Sequence, residues 1–340
     1  MSDLGASSIY LSRYPVGTLS LNNPARRLTD NVNNQVDITG NYENKPGANY
    51  ENISVDKVTD IASFGGALRW LQTPQIAEVD ESGVQTGGNL SSSYFNLELS
   101  GARYLPSFKL GNFNFSTLAG VTLKYYNRGL MDTDASSSSS TFGTDLSLSG
   151  KLGSGFLTVG ILDLGMHYKD KNGGDDAPLP TSGFLEYKHH FSFGSSMGKG
   201  TIIGNMIIGA YEKAVTEANL AGEFAWTWNK ALISSVSLNP GLHWNADCTS
   251  NYGVIEPNLG VAIKAGPANV YADVKWMSNG GGAVYGGGFA VTIGTRKKTI
   301  ASSAALIAAT PAQSAPVTDN KVAPAAPAKV EAGKDAKGAW

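Results

Sequence analysis

The chain has 340 residues, of which 41% are hydrophobic and 16% are charged, and its formal net charge at pH 7 is -2. This balance leaves no basic surface for nucleic acid and no polyacidic tail. The apolar runs fall far short of the roughly 20 residues that a spanning helix needs, which excludes a helical inner-membrane protein. The single cysteine, Cys248, cannot form an internal disulfide or a cysteine-based metal site.

Residues 1–34 are irregular in pattern and rich in Asn, Arg, Ser and Pro. The first residues, Met1 to Gly5, have neither the basic region nor the apolar stretch of a secretory signal. We interpret the chain as one from which the signal has been removed, because the strand pattern that follows fits a cell envelope better than the cytoplasm. We expect residues 1–34 to fold into the lumen of a barrel or across its periplasmic mouth.

Residues 35–296 alternate apolar with polar side chains in short segments, which are separated by turns rich in Gly, Asn, Asp and Ser. A period of two places alternate side chains on opposite faces of a strand. The stretches 75–93 and 132–140 are polar and are predicted to be exposed loops. Strands are predicted around 36–39 and 64–70, and then at 95–105, 113–128, 142–152, 156–168, 183–193, 201–212, 219–228, 232–244, 254–265, 268–277 and 284–295.

The second face of these strands consists mainly of Ser, Thr, Gly and Asn, which are too small to fill the core of a soluble sandwich. Segments of about ten residues with this alternation are typical of membrane-spanning strands. The pattern predicts an all-β fold, an antiparallel transmembrane β-barrel of about 12–14 strands with an apolar outside and a polar lumen. The location that this fold implies is a bacterial outer membrane, with its lipid as a partner.

Charged residues within the strands are predicted to face the lumen, because apolar residues flank them in the sequence. A Lys at the midplane of the lipid costs on the order of 2–4 kcal/mol, which favours the lumenal side. The same alternation turns Val261 toward lipid and Ala262 toward the lumen. Acids and bases are nearly balanced, which fits either an ion-paired interior or a pore with little ion selectivity. The lumen-facing residues are Glu98, Lys124, Asp145, Lys151, Glu186, Lys188, Lys264, Asp273 and Lys275.

Tyr and Trp residues are concentrated near the ends of the predicted strands. Because these side chains prefer the level of the lipid headgroups, we predict that they form belts at the two membrane interfaces. The residues are Tyr125, Tyr126, Trp226, Trp228, Trp244 and Trp276.

The sequence contains no arrangement typical of catalysis or of metal binding. The segment 194–201 resembles a phosphate-binding loop, but it has one residue too few between its glycines and an extra Gly before Thr201. His189 and His190 point to opposite faces of one strand, so they cannot share a metal ion. We predict no enzymatic activity, no metal and no cofactor.

The alternation ends after Thr295, and residues 297–340 are rich in Ala, Pro and Lys. This composition cannot bury a core and predicts a disordered C-terminal tail. In the periplasm, such a tail is available to periplasmic or secretion-complex proteins. The sequence leaves the oligomeric state open.

Two groups of residues resemble the FadL-like superfamily of outer-membrane β-barrels. A Gly/Ala/Ser-rich start, residues 5–8, is followed by Leu21-Asn22 and by the motif Asn23-Pro24-Ala25, and the strand 120–126 carries a Gly-Val-x-x-Lys-Tyr pattern. The branch most similar over residues 3–170 is the PorV/PorQ-type group. The resemblance implies a 14-stranded barrel with an N-terminal segment at the lumen, which acts in uptake of hydrophobic solutes or as an accessory of protein secretion. The inward residues look too polar for a fatty-acid tunnel.

Three functional hypotheses remain from the sequence. The first is a channel for small or hydrophobic solutes, or a barrel that docks a secretion or envelope complex. The second is a structural protein of the surface or envelope, with a packed interior that does not conduct. The third is a soluble, Gly-rich β protein such as a virion or appendage subunit, which would remain in solution without detergent.

Overall fold

The computed structural model describes residues 35–45, 48–59, 61–73, 76–79, 82–106, 108–110, 113–115, 117–131, 136–170, 179, 181–194, 198–209, 214–228, 232–246, 254–276 and 282–294. Every regular element within these residues is a β-strand. In the same ranges, no helix is long and apolar enough to cross a membrane. The N-terminal segment 1–34, with Asn23, Pro24 and Ala25, and the tail 297–340 lie outside the described residues.

The described chain contains eighteen strands. In chain order they are β1 (Gln35–Lys45), β2 (Ala48–Val58), β3 (Ala62–Gln72), β4 (Ile76–Val79), β5 (Gln85–Tyr104), β6 (Phe108–Leu110), β7 (Phe113–Phe115), β8 (Thr117–Met131), β9 (Ser136–Leu152), β10 (Gly155–Gly165), β11 (Lys169–Asp170), β12 (Ser182–Phe193), β13 (Gly198–Gly209), β14 (Ala214–Thr227), β15 (Ile233–Asn245), β16 (Val254–Ala265), β17 (Ala268–Trp276) and β18 (Ala283–Ile293).

Fourteen of these strands form a closed ring, in which each strand pairs antiparallel with the next. The ring closes between β18 and β1, whose register runs from Val36 opposite Ile293 to Asn44 opposite Tyr285. Four short strands lie outside the ring: β4 pairs with β5, β11 pairs with β9, and β6 forms a hairpin with β7. The all-β antiparallel barrel that the sequence predicts is confirmed, with a strand number at the top of the predicted range.

The prediction that residues 75–93 and 132–140 form loops is wrong. The stretch 75–93 contains β4 and the first part of β5, and the stretch 132–140 contains the start of β9. The strand β2 was also missed by the sequence analysis. The first part of β5 and the start of β9 are rich in Ser and other small polar residues, so they carry no apolar alternation, whereas β2 does alternate, with Ile53 and Val55 exposed and Ser54 buried between them. Backbone pairing with a neighbouring strand holds them in the sheet instead.

The two ends of the barrel differ in their connections. At one end, here called the terminal end, β1 begins at Gln35 and β18 ends at Ile293. Two of its turns have only two residues, 153–154 and 266–267, while residues 105–116 contain the β6–β7 hairpin. The opposite end, here called the loop end, has the longest connection, residues 166–181. The loop end also has one connection of only two residues, 46–47, but most of its connections are longer than those of the terminal end, as is typical of outer-membrane barrels.

The outer face of the barrel is apolar over the middle of the strands. The exposed aliphatic residues there include Leu97, Leu99, Val121, Leu123, Leu146, Leu148, Ile202, Leu220, Leu238, Leu242, Val261, Ile263 and Val270. Exposed aromatic residues occur toward both ends of the strands, with Phe64, Trp226 and Trp228 at the terminal end and Tyr42, Trp276 and Tyr285 at the loop end, but Tyr187 and Phe289 are exposed near the middle of β12 and β18. The middle of the outer face is therefore mainly aliphatic, and the aromatic residues are not confined to its margins.

Candidate functional site: the inner face of the barrel

The inner face carries most of the charged residues that the sequence assigns to the lumen. On β5, Glu98 is 1% exposed, while its neighbours Leu97 and Leu99 are 42% and 59% exposed. Lys264 and Asp273 are half-buried, and Lys151 is exposed at the terminal end of β9. The remaining residues of the set are buried on the same face as Glu98: Lys124, Asp145, Glu186, Lys188 and Lys275.

The first group of charges on this face, here called the β8–β10 cluster, consists of Lys124, Tyr126, Asp145 and Asp163. Nζ of Lys124 lies 2.7 Å from Oδ2 of Asp145 and 2.9 Å from Oδ1 of Asp163. The hydroxyl of Tyr126 donates a hydrogen bond to Oδ1 of Asp163. One buried ammonium therefore neutralises part of the charge of two carboxylates.

Asp163 enters this cluster through a β-bulge in β10. The pairing of β10 with β9 shifts between Ile161 and Leu164, and Asp163 has a left-handed backbone with φ of 55°. Its N–H donates to Oδ1 of Asp145 at 2.9 Å, and its carbonyl accepts from Oγ1 of Thr181 at 2.9 Å. These bonds hold an unfavourable backbone conformation that turns the Asp163 carboxylate inward.

Residues that follow the bulge cover the β8–β10 cluster. Leu179 and Tyr168 are buried and pack with Tyr126. The guanidinium of Arg128 lies 4.3 Å from the centre of the Tyr168 ring, within range of a cation–π interaction. Burial raises the pKa of the Tyr168 hydroxyl, which keeps this group protonated at neutral pH.

Tyr126 was predicted to lie at a membrane interface, and this assignment is wrong. The ring is buried on the inner face of β8. The reason is the period of two: Tyr125 and Tyr126 are adjacent, so only one of them can point outward. The structure places Tyr125, Trp226, Trp228, Trp244 and Trp276 on the outward side of the chain.

A second group, here called the β14–β17 cluster, consists of one residue from each of four successive strands: Glu217, His243, Glu256 and Lys275. Oε2 of Glu256 lies 2.9 Å from Nδ1 of His243 and 2.8 Å from Nζ of Lys275. Because a carboxylate only accepts, Nδ1 of His243 is the donor. Nε2 of the same ring faces Oε2 of Glu217 at 3.7 Å, beyond hydrogen-bond distance. The order along the wall is Lys275, Glu256, His243, Glu217.

An apolar patch interrupts the polar inner face beside this cluster. Leu162, Phe184 and Ile207 are buried there and pack together. Ile207 on β13 stands directly opposite Glu217 on β14. The inner wall is therefore less uniformly polar than the sequence indicated.

The inner face is also more acidic than the sequence analysis predicted. It includes several acids outside the predicted lumen-facing set: Asp37, Asp56, Asp163, Glu217 and Glu256. Among the described residues, the buried bases outside the predicted set are His243 and Arg69, and Nη2 of Arg69 lies 3.6 Å from Oε2 of Glu98. Alternation within β16 would have identified Glu256, and alternation counted back from Leu220 would have identified Glu217, although a bulge beside Val215 breaks the period just before it. Alternation could not have identified Asp163, because the bulge in β10 breaks the period.

The chemistry of the inner face is that of charge pairing and hydrogen bonding. Among the described residues, no group of three or more His, Cys, Asp or Glu side chains is arranged to hold a metal ion. Asn side chains extend the polar surface; for example, Nδ2 of Asn219 donates to Oδ1 of Asn205 at 3.0 Å. Such a wall can contact polar and charged solutes.

These features define a class of protein: a closed antiparallel β-barrel of fourteen strands with an apolar outer face and a polar inner face. No protein-family model and no curated protein matches the sequence. Among solved structures, the chain is similar to the toluene transporter TodX of Pseudomonas putida, at 12% identity over 81% of this chain and 93% of that chain, with a TM-score of 0.47.

Other similar structures include a FadL homologue of Pseudomonas aeruginosa, at 11% identity over 81% of this chain and 93% of that chain, with a TM-score of 0.45. CdiB from Acinetobacter baumannii matches at 10% identity over 76% of this chain, with a TM-score of 0.45. The chain covers 60% of that CdiB structure and 63% of the one from Escherichia coli. FadL-type barrels are thus among the structural neighbours, at low identity.

Proposed function

We propose that the protein spans a bacterial outer membrane as a β-barrel and carries small solutes through its lumen. The observation that supports this most directly is the opposite polarity of the two faces. Leucines on the outer face of β5 are exposed on either side of Glu98, which is buried inside. In water, an apolar surface around the whole barrel would drive aggregation, whereas lipid solvates it.

The polar inner face supports passage of solutes rather than a core made only for stability. Charged and amide side chains occur on the inner face of nearly every ring strand, including Arg69, Asn96, Lys188, Asn258 and Asn269. A closed barrel needs no such charges for its backbone bonds, which neighbouring strands already satisfy. We assign hydrophobic solutes, the substrate class implied by the FadL-like resemblance, only to the apolar patch around Phe184.

The proposed function is tested by membrane fractionation, heat modifiability and conductance. The chain is expressed behind a signal peptide, and boiled and unboiled samples of the outer membrane are compared on a denaturing gel. We expect a band in the outer membrane that shifts on boiling, and discrete conductance steps when the purified protein is inserted into a planar bilayer. A soluble product without a shift would contradict the membrane location and favour an assembly protein.

A second function, a non-conducting barrel that docks an envelope or secretion complex, is favoured by a separate observation. Small inner residues such as Thr39, Thr122 and Ser149 have no exposed surface, and the charges of the β8–β10 cluster are paired with one another. A heat-modifiable barrel that inserts into bilayers without conductance would support this function. In that case, the tail 297–340 is our proposed contact for periplasmic partners.

A further inference from the structure

A carboxylate oxygen without a hydrogen bond lies next to the apolar patch on the inner wall. Glu217 is 5% exposed, and its Oε2 accepts no hydrogen bond from the described residues. Ile207, directly opposite on β13, belongs to the patch with Leu162 and Phe184. A buried carboxylate oxygen normally accepts a hydrogen bond, so a bound solute with a hydrogen-bond donor would satisfy this oxygen.

Asn239 is a second, independent sign of unused hydrogen-bonding capacity on the same wall. It is 3% exposed on the inner face of β15, and neither its amide oxygen nor its amide nitrogen has a partner among the described residues. Between Asn239 and His243 on this face stands Gly241, and the amide of Asn258 on β16 fills the space above it. Asn239 is therefore a separate polar group of the wall and does not belong to the β14–β17 cluster.

The charges of the β14–β17 cluster indicate the sign of the ligand. Lys275 is paired with Glu256 at 2.8 Å, at one end of the row. Glu217 stands at the other end, where its Oε2 lies 3.7 Å from Nε2 of the His243 imidazole. A cation next to Glu217 would continue the alternation of charge and offset the cost of burying that carboxylate.

We infer that this part of the wall binds a solute with an ammonium head and an apolar body. The ammonium donates to Oε2 of Glu217, and the apolar body packs against Leu162, Phe184 and Ile207. This inference rests on the proposed role of the lumen in carrying solutes, and it specifies the solute class as amphiphilic amines.

The inference is tested with three probes that share one apolar body: benzylammonium, benzyl alcohol and benzoate. Saturation-transfer NMR on the purified full chain in detergent, measured against empty micelles, reports binding of each. We expect benzylammonium to bind at least about tenfold more tightly than benzyl alcohol, because a hydrogen bond to a buried charge is lost with the alcohol. Benzoate should not bind.

The variant Glu217→Gln should weaken benzylammonium binding to the level of benzyl alcohol. The matched control is Glu51→Gln, an acid-to-amide change on the outer face of β2, which should leave the affinity unchanged. Equal binding of the three probes to the wild-type protein would overturn the inference without any need for a variant. Full affinity in a heat-modifiable Glu217→Gln protein would do the same.

The NMR measurement separates this inference from the proposed channel, because binding in micelles requires no conduction. A barrel that selects benzylammonium but never conducts would keep the amine site and contradict the channel. A conducting barrel without preference for the amine would keep the channel and contradict the site.

Discussion

At the scale of single residues, the buried charges of the inner face depend on one another. Nζ of Lys124 bridges the carboxylates of Asp145 and Asp163, at 2.7 and 2.9 Å. A buried ion pair adds little net stability compared with apolar residues of the same size, but removal of one partner leaves an uncompensated charge. Lys124 is therefore the residue of the β8–β10 cluster whose loss should be most costly.

Replacing this lysine, Lys124→Met, should lower the free energy of unfolding by about 3 kcal/mol, because two buried carboxylates lose their cation. Urea titration of the barrel in lipid vesicles, followed by Trp fluorescence, measures the change. Lys151→Met on neighbouring β9 is the matched control, since Lys151 is exposed and should change stability by less than about 0.5 kcal/mol. Equal effects of the two substitutions would contradict the paired cluster.

The assignment of faces can be tested at two adjacent residues of β14. Leu220 is 54% exposed on the outer face, and Ala221 is half-buried on the inner face. Leu220→Lys should cost about 2–4 kcal/mol, because the ammonium then lies in lipid. Ala221→Lys should cost less than about 1 kcal/mol, because the inner face is polar. The same vesicle titration measures both, and a larger loss at Ala221 would reverse the inner and outer faces.

At the scale of strands, two kinds of segment share one sheet. Strands with clear alternation, such as β16 and β18, were predictable from the sequence, since one face must be apolar. The 20 residues of β5 and the 17 of β9 exceed the roughly ten needed to cross a bilayer. The excess at the loop end is polar on both faces. Its strand conformation comes from pairing between neighbours, which no single segment of sequence contains.

This division of β9 into a spanning part and a projecting part predicts a difference in chemical reactivity. In a Cys248→Ser background, cysteine at Ser138 should react with a membrane-impermeant maleimide added to intact cells. Cysteine at Leu148 should remain unlabelled until detergent is added, because lipid covers that part of the outer face. Labelling of both positions in intact cells would mean that β9 does not span the membrane as far as Leu148.

At the scale of the whole molecule, the barrel and the direction of its side chains were predictable from the sequence, but the contacts between side chains inside it were not. Period-two alternation dictates which side chains share a face, so the antiparallel barrel and the inward Glu98 and Lys275 follow from it. It carries no information on distances between strands that are far apart in sequence. The contact of Lys124 with Asp163, 39 residues later, needs both the ring and a bulge.

Closure of the ring between the first and last strands is the property on which both faces depend, because an open sheet would expose unpaired edges to lipid. Val36 and Ile293 are opposite one another across the β1–β18 seam. In a Cys248→Ser background, Val36→Cys with Ile293→Cys should therefore form a disulfide as the barrel folds, because paired strands hold Cα atoms about 4.5–5.5 Å apart. Mass spectrometry of peptides from the oxidised, boiled protein detects the link. The matched control, Val36→Cys with Ile263→Cys on β16, should not form it, and a link there but not at the seam would contradict the observed closure.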